Sequence, residues 1–202
     1  MPKPARTIDY YFTVVSPWSY LGHDRLVAIA ARHGATIAVK PVDLLRIFPV
    51  SGGLPLPQRA PQRLAYRLVE LRRWSDHLAI PLNAQPKYAA ASPELAAKWI
   101  LAAAEHGSVP ALALSGAIMR ARWAEERDIA DPATLAEVAA ARGLDAVALA
   151  ADAAAPGIAA RYDALTQEAI DRQVFGAPTY VCGGELFWGQ DRLDFLDRKL
   201  AQ

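Results

Sequence analysis

An α/β fold, with sheet-forming ends around a long helical middle, is what this sequence predicts, and three observations carry it. The chain opens in β-α-β order, with "TIDYYFTVV" (7–15), "SPWSYLGHDRLVAIAARHG" and "ATIAVKPVDL" (35–44). It closes in β-β-α order, with "APTYVCGGELFWG" and then "QDRLDFLDRKLAQ". Between the two ends lies an Ala-rich stretch punctuated by helix caps.

Each element has a physical reason. The first strand is β-branched and aromatic, as a buried strand should be. Pro17 suits a first helical position, because its missing N–H would have no helical partner and its φ is already helical. His33-Gly34 reads as the stop of that helix, and a short connection leads to the second strand, as in a parallel pair. "RIFPVSGGLPLPQRAP" (46–61), rich in Pro and Gly, reads as a loop. Helices are expected at roughly 62–78, 93–106, 109–127, 133–142 and 157–173, with a short turn near 145–152. Ser92-Pro93 and Asp131-Pro132 each place a cap before proline at the first helical position. Gly183-Gly184 turns the closing hairpin, and Leu193, Leu196 and Leu200 share one face of the last helix. Deleting residues 46–172 leaves the β-α-β-β-α order of a thioredoxin-type domain. The expected organisation is a discontinuous thioredoxin-like domain (1–45 and 173–202) with an all-helical insertion domain (46–172).

Composition narrows the function. There are 22 basic and 21 acidic residues, a net charge of +1, which gives no electrostatic case for nucleic acid or an anionic membrane as partner. The single cysteine, Cys182, precludes an internal disulfide, a Cys-x-x-Cys redox pair and a thiolate metal cluster. It reads as a small buried hydrophobe. His23, His33, His77 and His106 show no metal-ligand spacing and read as helix-surface residues, so no metal is expected. Neither a signal peptide nor a run long enough to span a membrane is apparent, so a cytoplasmic setting is expected.

Three segments carry possible chemistry. Ser16 in "SPWS" is a helix cap, and a cap at a first strand-to-helix turn sits beside free N–H groups and a positive dipole end. Its hydroxyl cannot itself act as a thiolate, but it can donate to one. In "FGAPTYV", Pro178 is either a plain strand-start proline or a cis-proline facing that turn. The second reading leaves the N–H and C=O of Ala177 free to pair with a peptide-like ligand. In "FWGQDRLDFL", Gln190 or Asp191 caps the last helix, and the pair also suits an α-amino-acid end group, amides for the carboxylate and Asp191 for the ammonium.

Together these segments describe a glutathione site. On "YYFTVVSPWSYLG", "APQRLAYRLVELRRWSDHLAIPLN", "FGAPTYV" and "ELFWGQDRLDFL", the chain resembles the 2-hydroxychromene-2-carboxylate isomerase family. These are relatives of kappa-class glutathione transferases within the DsbA-like thioredoxin folds. The resemblance implies glutathione as cofactor, a small aromatic substrate and a homodimer. By position it implies Ser16 as the catalytic serine at the glutathione sulfur, with Pro17 and Trp18 completing that turn. Ala177 before Pro178 is the backbone anchor, and Gln190 with Asp191 holds the γ-glutamyl group. Gly53 stands about where relatives carry an asparagine, so only a backbone contact could survive there. Arg63 falls near a basic residue used close to the glycyl carboxylate, and is equally a solvated helix arginine. Tyr88, in "PKYAA", is a candidate for the substrate cleft. Conjugation of glutathione to electrophiles and non-catalytic glutathione binding stay open as alternatives. A DsbA-type oxidoreductase would need cysteines where this chain has Ser16-Pro17-Trp18-Ser19.

Overall fold

Strand β1 (Thr7–Phe12) lies inside the sheet, and its neighbours determine where the chain ends meet. It pairs in parallel with β2 (Thr36–Pro41), Thr7 opposite Thr36. On its other side it pairs antiparallel with β3 (Thr179–Cys182), Tyr10 opposite Tyr180. β3 turns through Gly183 and Gly184, at φ 59° and 81°, into β4 (Glu185–Trp188). Both glycines take the positive φ that a tight two-residue hairpin requires. The order is β2-β1-β3-β4. The computed structural model describes residues 6–202.

Alternation along β1 gives the sheet two buried faces. Ile8, Tyr10 and Phe12 enter the main core with Leu26 of α1 (Pro17–His33) and Leu196 of α9 (Leu193–Ala201). Tyr11 points the other way, into a smaller cluster with Ile47 of α2 (Leu44–Ser51) and Ala169 of α8 (Pro156–Asp171). The main core also contains Trp99 of α4 (Glu94–Glu105), Trp123 of α5 (Ser108–Trp123), Leu135 of α6 (Pro132–Ala140) and Leu149 of α7 (Ala146–Ala153). α3 (Pro61–Leu78) packs on α1 and buries fully only Leu71.

Several expectations are corrected. The strand expected over 35–44 ends at Pro41, and residues 46–51 of the expected 46–61 loop belong to helix α2: Asp43 accepts from the Leu45 amide at 2.8 Å, and Ile47 is fully buried. Pro49 removes one helical donor. In a helix this short, the cap and the Ile47 anchor outweigh that loss. Residues 146–153 form a helix instead of a turn, with Asp145 accepting from the amides of Val147 and Ala148 and Leu149 and Ala153 one turn apart in the core. β1 stops at Phe12, because the chain turns through Thr13–Ser16, the Ser16 amide donating to Thr13. α4 starts at Glu94, one residue late, although the Ser92 hydroxyl still accepts from the Glu94 amide. His23 is buried, not on the surface, and half-buried His33 pairs with Asp197 of α9 at 2.6 Å. Cys182 is buried and unpaired, as expected. Among the described residues no helix is long and apolar enough to cross a membrane, and no cluster of three or more His, Cys, Asp or Glu is placed to hold a metal ion.

Candidate active site

Strand register assembles the site. Tyr11 of β1 faces Thr179 of β3, so the chain leaving β1 (Thr13–Ser16) meets the chain entering β3 (Ala177-Pro178). β4 then returns beside β3, and the Gly189 amide donates to the Pro178 carbonyl at 2.8 Å. Three segments far apart in sequence thus converge at one end of the sheet.

Ser16 caps α1: its oxygen accepts from the Ser19 amide at 3.2 Å, and Pro17 occupies the first turn. The Tyr20 amide bonds to the Ser16 carbonyl, which leaves the Trp18 amide without a partner among the described residues. Pro17 is buried and Trp18 half-buried. The Ser16 hydroxyl donates to the Ala177 carbonyl at 3.1 Å, and the Ala177–Pro178 peptide is cis. This corrects one expectation, since the Ala177 carbonyl is not free. A carbonyl oxygen has two lone pairs, so a ligand amide either shares it with Ser16 or displaces the Ser16 proton toward another acceptor. Ser16 is 7% exposed, so such an exchange takes place in partial isolation from water.

The other half of the site is built around Gln190. That residue is buried, and its side-chain oxygen accepts from Arg25 Nη1 at 2.7 Å. The same guanidinium group is 3.3 Å from the Gln190 backbone oxygen and 3.5 Å from Asp194. Gln190 approaches α1 only because residue 22 is glycine: a Cβ there would lie 2.8 Å from the Tyr180 hydroxyl and 2.9 Å from Gln190 Cβ. Neither Gln190 nor Asp191 caps α9. A 3₁₀ turn over Gln190–Arg192 comes first, led by Gly189 at φ 103°. The positive φ of Gly189 reverses the chain and Arg25 draws Gln190 inward, so the turn leaves Asp191 exposed and 3.1 Å from Arg192.

The remaining candidates are less directly engaged. Gly53 lies against the Phe48 ring, which occupies the space a Cβ would need. That contact explains the absence of a larger residue. Arg63 is an exposed residue of the first turns of α3 with no carboxylate partner among the described residues. Tyr88 is half-buried, and its loop is pinned by buried Arg122, which donates to the carbonyls of Tyr88 and Ala89 at 2.8 and 3.0 Å. The structure records no contact between Tyr88 and the Ser16 turn.

Four residues outside the sequence candidates support this arrangement: Gly22, Arg25, Arg122 and Trp123. Trp123 donates its indole N–H to the Val14 carbonyl at 3.0 Å, fixing the turn that presents Ser16. Gly22 and Arg25 stand three residues apart and so share one side of α1, which is the one signal available.

Burial sets the ionisation behind the site. Burial lowers the affinity of His23 for a proton, against the opposing pull of Asp24. The neutral ring is consistent with Nε2 donating to the Leu112 carbonyl at 3.0 Å. Burial likewise holds the Tyr10 and Tyr180 phenols protonated.

The DSBA-like thioredoxin domain model matches residues 7–201. The chain is 31% identical over 196 residues to a 2-hydroxychromene-2-carboxylate isomerase of Sphingobium xenophagum, covering 96% of this chain and 98% of that one. Human glutathione S-transferase kappa 1 is 26% identical, covering 100% of this chain and 93% of that protein. A solved 2-hydroxychromene-2-carboxylate isomerase superposes with a TM-score of 0.77 at 30% identity, covering 96% of this chain and 94% of that one. The chain belongs to the DsbA-like thioredoxin family and, within it, to the 2-hydroxychromene-2-carboxylate isomerases.

Proposed function

We propose that the chain is a glutathione-dependent isomerase of the 2-hydroxychromene-2-carboxylate type. The observation that carries this reading is the Ser16 hydroxyl, which lies at the N-terminus of α1 and donates to the carbonyl of Ala177, in a turn without cysteine. Such a hydroxyl suits a sulfur anion brought by a ligand. The residues suit two parts of glutathione: a backbone strand start at Ala177 for the cysteinyl unit, and an amide and a carboxylate at Gln190 and Asp191 for the γ-glutamyl end. When bound, glutathione supplies a thiolate that adds reversibly to an electron-poor C=C so that the bond can rotate, and it leaves unchanged.

The chain's own share is electrostatic. A ligand amide that displaces Ser16 from the Ala177 carbonyl frees the Ser16 proton to turn toward the sulfur. The Trp18 amide and the α1 dipole add positive potential at the same point. A charge-assisted hydrogen bond of this kind is worth roughly 1.5–3 kcal/mol, or one to two pKa units of thiol ionisation. Isomerase chemistry is favoured over mere binding because a hydroxyl aimed at the sulfur has little use in a passive receptor.

A cytoplasmic setting and a homodimer belong to the same reading. The lone unpaired Cys182 suits a reducing compartment. Exposed Leu45, Val50, Leu54, Leu56, Tyr66 and Val69, gathered in the α2–α3 segment, suit a self-association surface. The test is calorimetric titration with glutathione, followed by an assay of the interconversion of 2-hydroxychromene-2-carboxylate and trans-o-hydroxybenzylidenepyruvate. The expected result is binding, and turnover only with glutathione present. Stable glutathione adducts of the acceptor would point to a transferase, binding without turnover to a passive module, and no binding would overturn the reading.

A further inference from the structure

Elsewhere in the molecule, arginines without a carboxylate partner among the described residues are exposed, as Arg72, Arg142 and Arg198 are, or spend their donors on backbone carbonyls, as Arg6 and Arg122 do. At the start of α3 two of them are half-buried. Arg25, Arg32, Arg46, Arg120, Arg127 and Arg172 each face a carboxylate. Arg59, Arg63 and Arg67 have no such partner among the described residues. They recur every fourth residue, from the end of the 3₁₀ turn at Leu56–Gln58 into the first turns of α3. Arg63 and Arg67 therefore share one helix face, and Leu71, the fully buried residue of α3, continues it. Arg59 is steered toward this row by its Nε, which donates to the Leu54 carbonyl at 2.9 Å.

The three cations are close enough to disfavour one another. Burial and then Arg63 make Arg59 a weaker base than an ordinary arginine, and burial and then Arg59 do the same to Arg67. Both stay charged. Arg59 and Arg67 are half-buried and Arg63 is exposed. Holding like charges together and partly out of water is unfavourable unless an anion joins them. The Phe48 ring lies against Gly53, next to the Leu54 carbonyl that Arg59 bonds, and offers aromatic surface there. A planar guanidinium fork beside such surface matches an aromatic carboxylic acid.

We propose that Arg59 and Arg67 form a carboxylate subsite for the acceptor, an aromatic 2-oxo acid, next to the position assigned to Arg63 on the glycyl end of glutathione. The inference rests on the function proposed above, and it adds the residues that select an acidic acceptor. A monocarboxylate such as the glycyl end occupies one fork, and two remain for the acceptor.

The test uses phenylpyruvate and its methyl ester as probes of the full-length protein, with and without glutathione. The wild type is expected to bind the acid about tenfold more tightly than the ester. Arg59→Gln and Arg67→Gln should each remove that preference, while the affinities for glutathione and for γ-glutamylcysteine stay within about twofold. Arg67→Lys should keep part of the preference, because the charge remains without the fork. Equal binding of acid and ester by the wild type would overturn the inference. So would a variant that weakens glutathione but not γ-glutamylcysteine, which would make the row a glycyl receptor, or one that changes only the oligomeric state. Loss of wild-type glutathione binding would instead refute the function proposed above, and the acid–ester comparison without glutathione still tests the arginines.

Discussion

The two ends of the site solve the same problem of buried polarity in opposite ways. At the Gln190 end, the protein supplies both partners: Arg25 donates to Gln190, Gly22 makes room, and the hairpin holds Gly189 to Pro178. At the α3 end, three guanidinium groups stand together without a carboxylate partner among the described residues. At one end the buried side chain is paired within the fold, and at the other, on the proposal above, an acceptor carboxylate supplies the partner. A rigid half that positions the sulfur and an electrostatic half that selects the acceptor are the division of labour this contrast suggests.

Several changes would break or sharpen that contrast. The largest effect is expected for Ser16→Ala, which should lower turnover about 10- to 100-fold while unfolding stability falls by only about 1 kcal/mol, the value of a lost cap. Steady-state kinetics beside urea unfolding would separate the two. Gly22→Ala should cost about 1–3 kcal/mol, because its Cβ would collide with Tyr180 and Gln190. Glutathione affinity should fall with it, which calorimetry would measure, whereas Gly52→Ala in the αL cap of α2 should lower stability and leave affinity alone. Arg25→Met should cost about 1–3 kcal/mol by leaving the buried Gln190 oxygen without its donor. If glutathione affinity survived that change, the Gln190 end would be mere scaffold. Trp123→Phe should cost at least about 1 kcal/mol from the lost indole hydrogen bond to Val14, with a further loss for the smaller ring in the core, which urea unfolding would measure.

A smaller effect concerns His23. The folded chain keeps this ring neutral, whereas the unfolded chain takes up a proton near pH 6.5. Its contribution to stability is therefore complete above about pH 6.5 and is lost as pH falls toward the lowered folded value. Denaturant unfolding across this range should show a slope of at most about 1.4 kcal/mol per pH unit from this residue. His23→Gln should flatten it.

The same contrast marks what could be read from the sequence. The rigid end was legible because local patterns specify it. Alternation places β1, Ser-Pro opens α1, Gly-Gly closes the hairpin, and three leucines at helical spacing define α9. Ser16, Pro178 and Gln190 meet because strand register leaves them no other place. What stayed hidden depends on long-range partners. The helix at 44–51 contains Pro49 and a Pro/Gly-rich flank, and burial of Ile47 against the far face of the sheet, together with the Asp43 cap, makes it stable. Arg25 looks like any solvated helix arginine until the chain returns 165 residues later with Gln190. Trp123 looks like core, and it is, but its N–H reaches the turn that presents Ser16. The Ala177 carbonyl was read as free, because the side chain that occupies it lies 161 residues away. Arg59 and Arg67 carry no signal singly, and become conspicuous only once the fold half-buries both without a carboxylate partner among the described residues.

The central claim is that Ser16 and the α1 terminus hold a ligand sulfur ionised. The most direct measurement is the pH titration of the ultraviolet thiolate absorbance of glutathione bound to the wild type and to Ser16→Ala. The account predicts that the bound thiol ionises about one to two pH units below free glutathione in the wild type, and that most of this shift disappears in the variant. A bound thiol that titrates like free glutathione, or a shift that survives without the Ser16 hydroxyl, would contradict it.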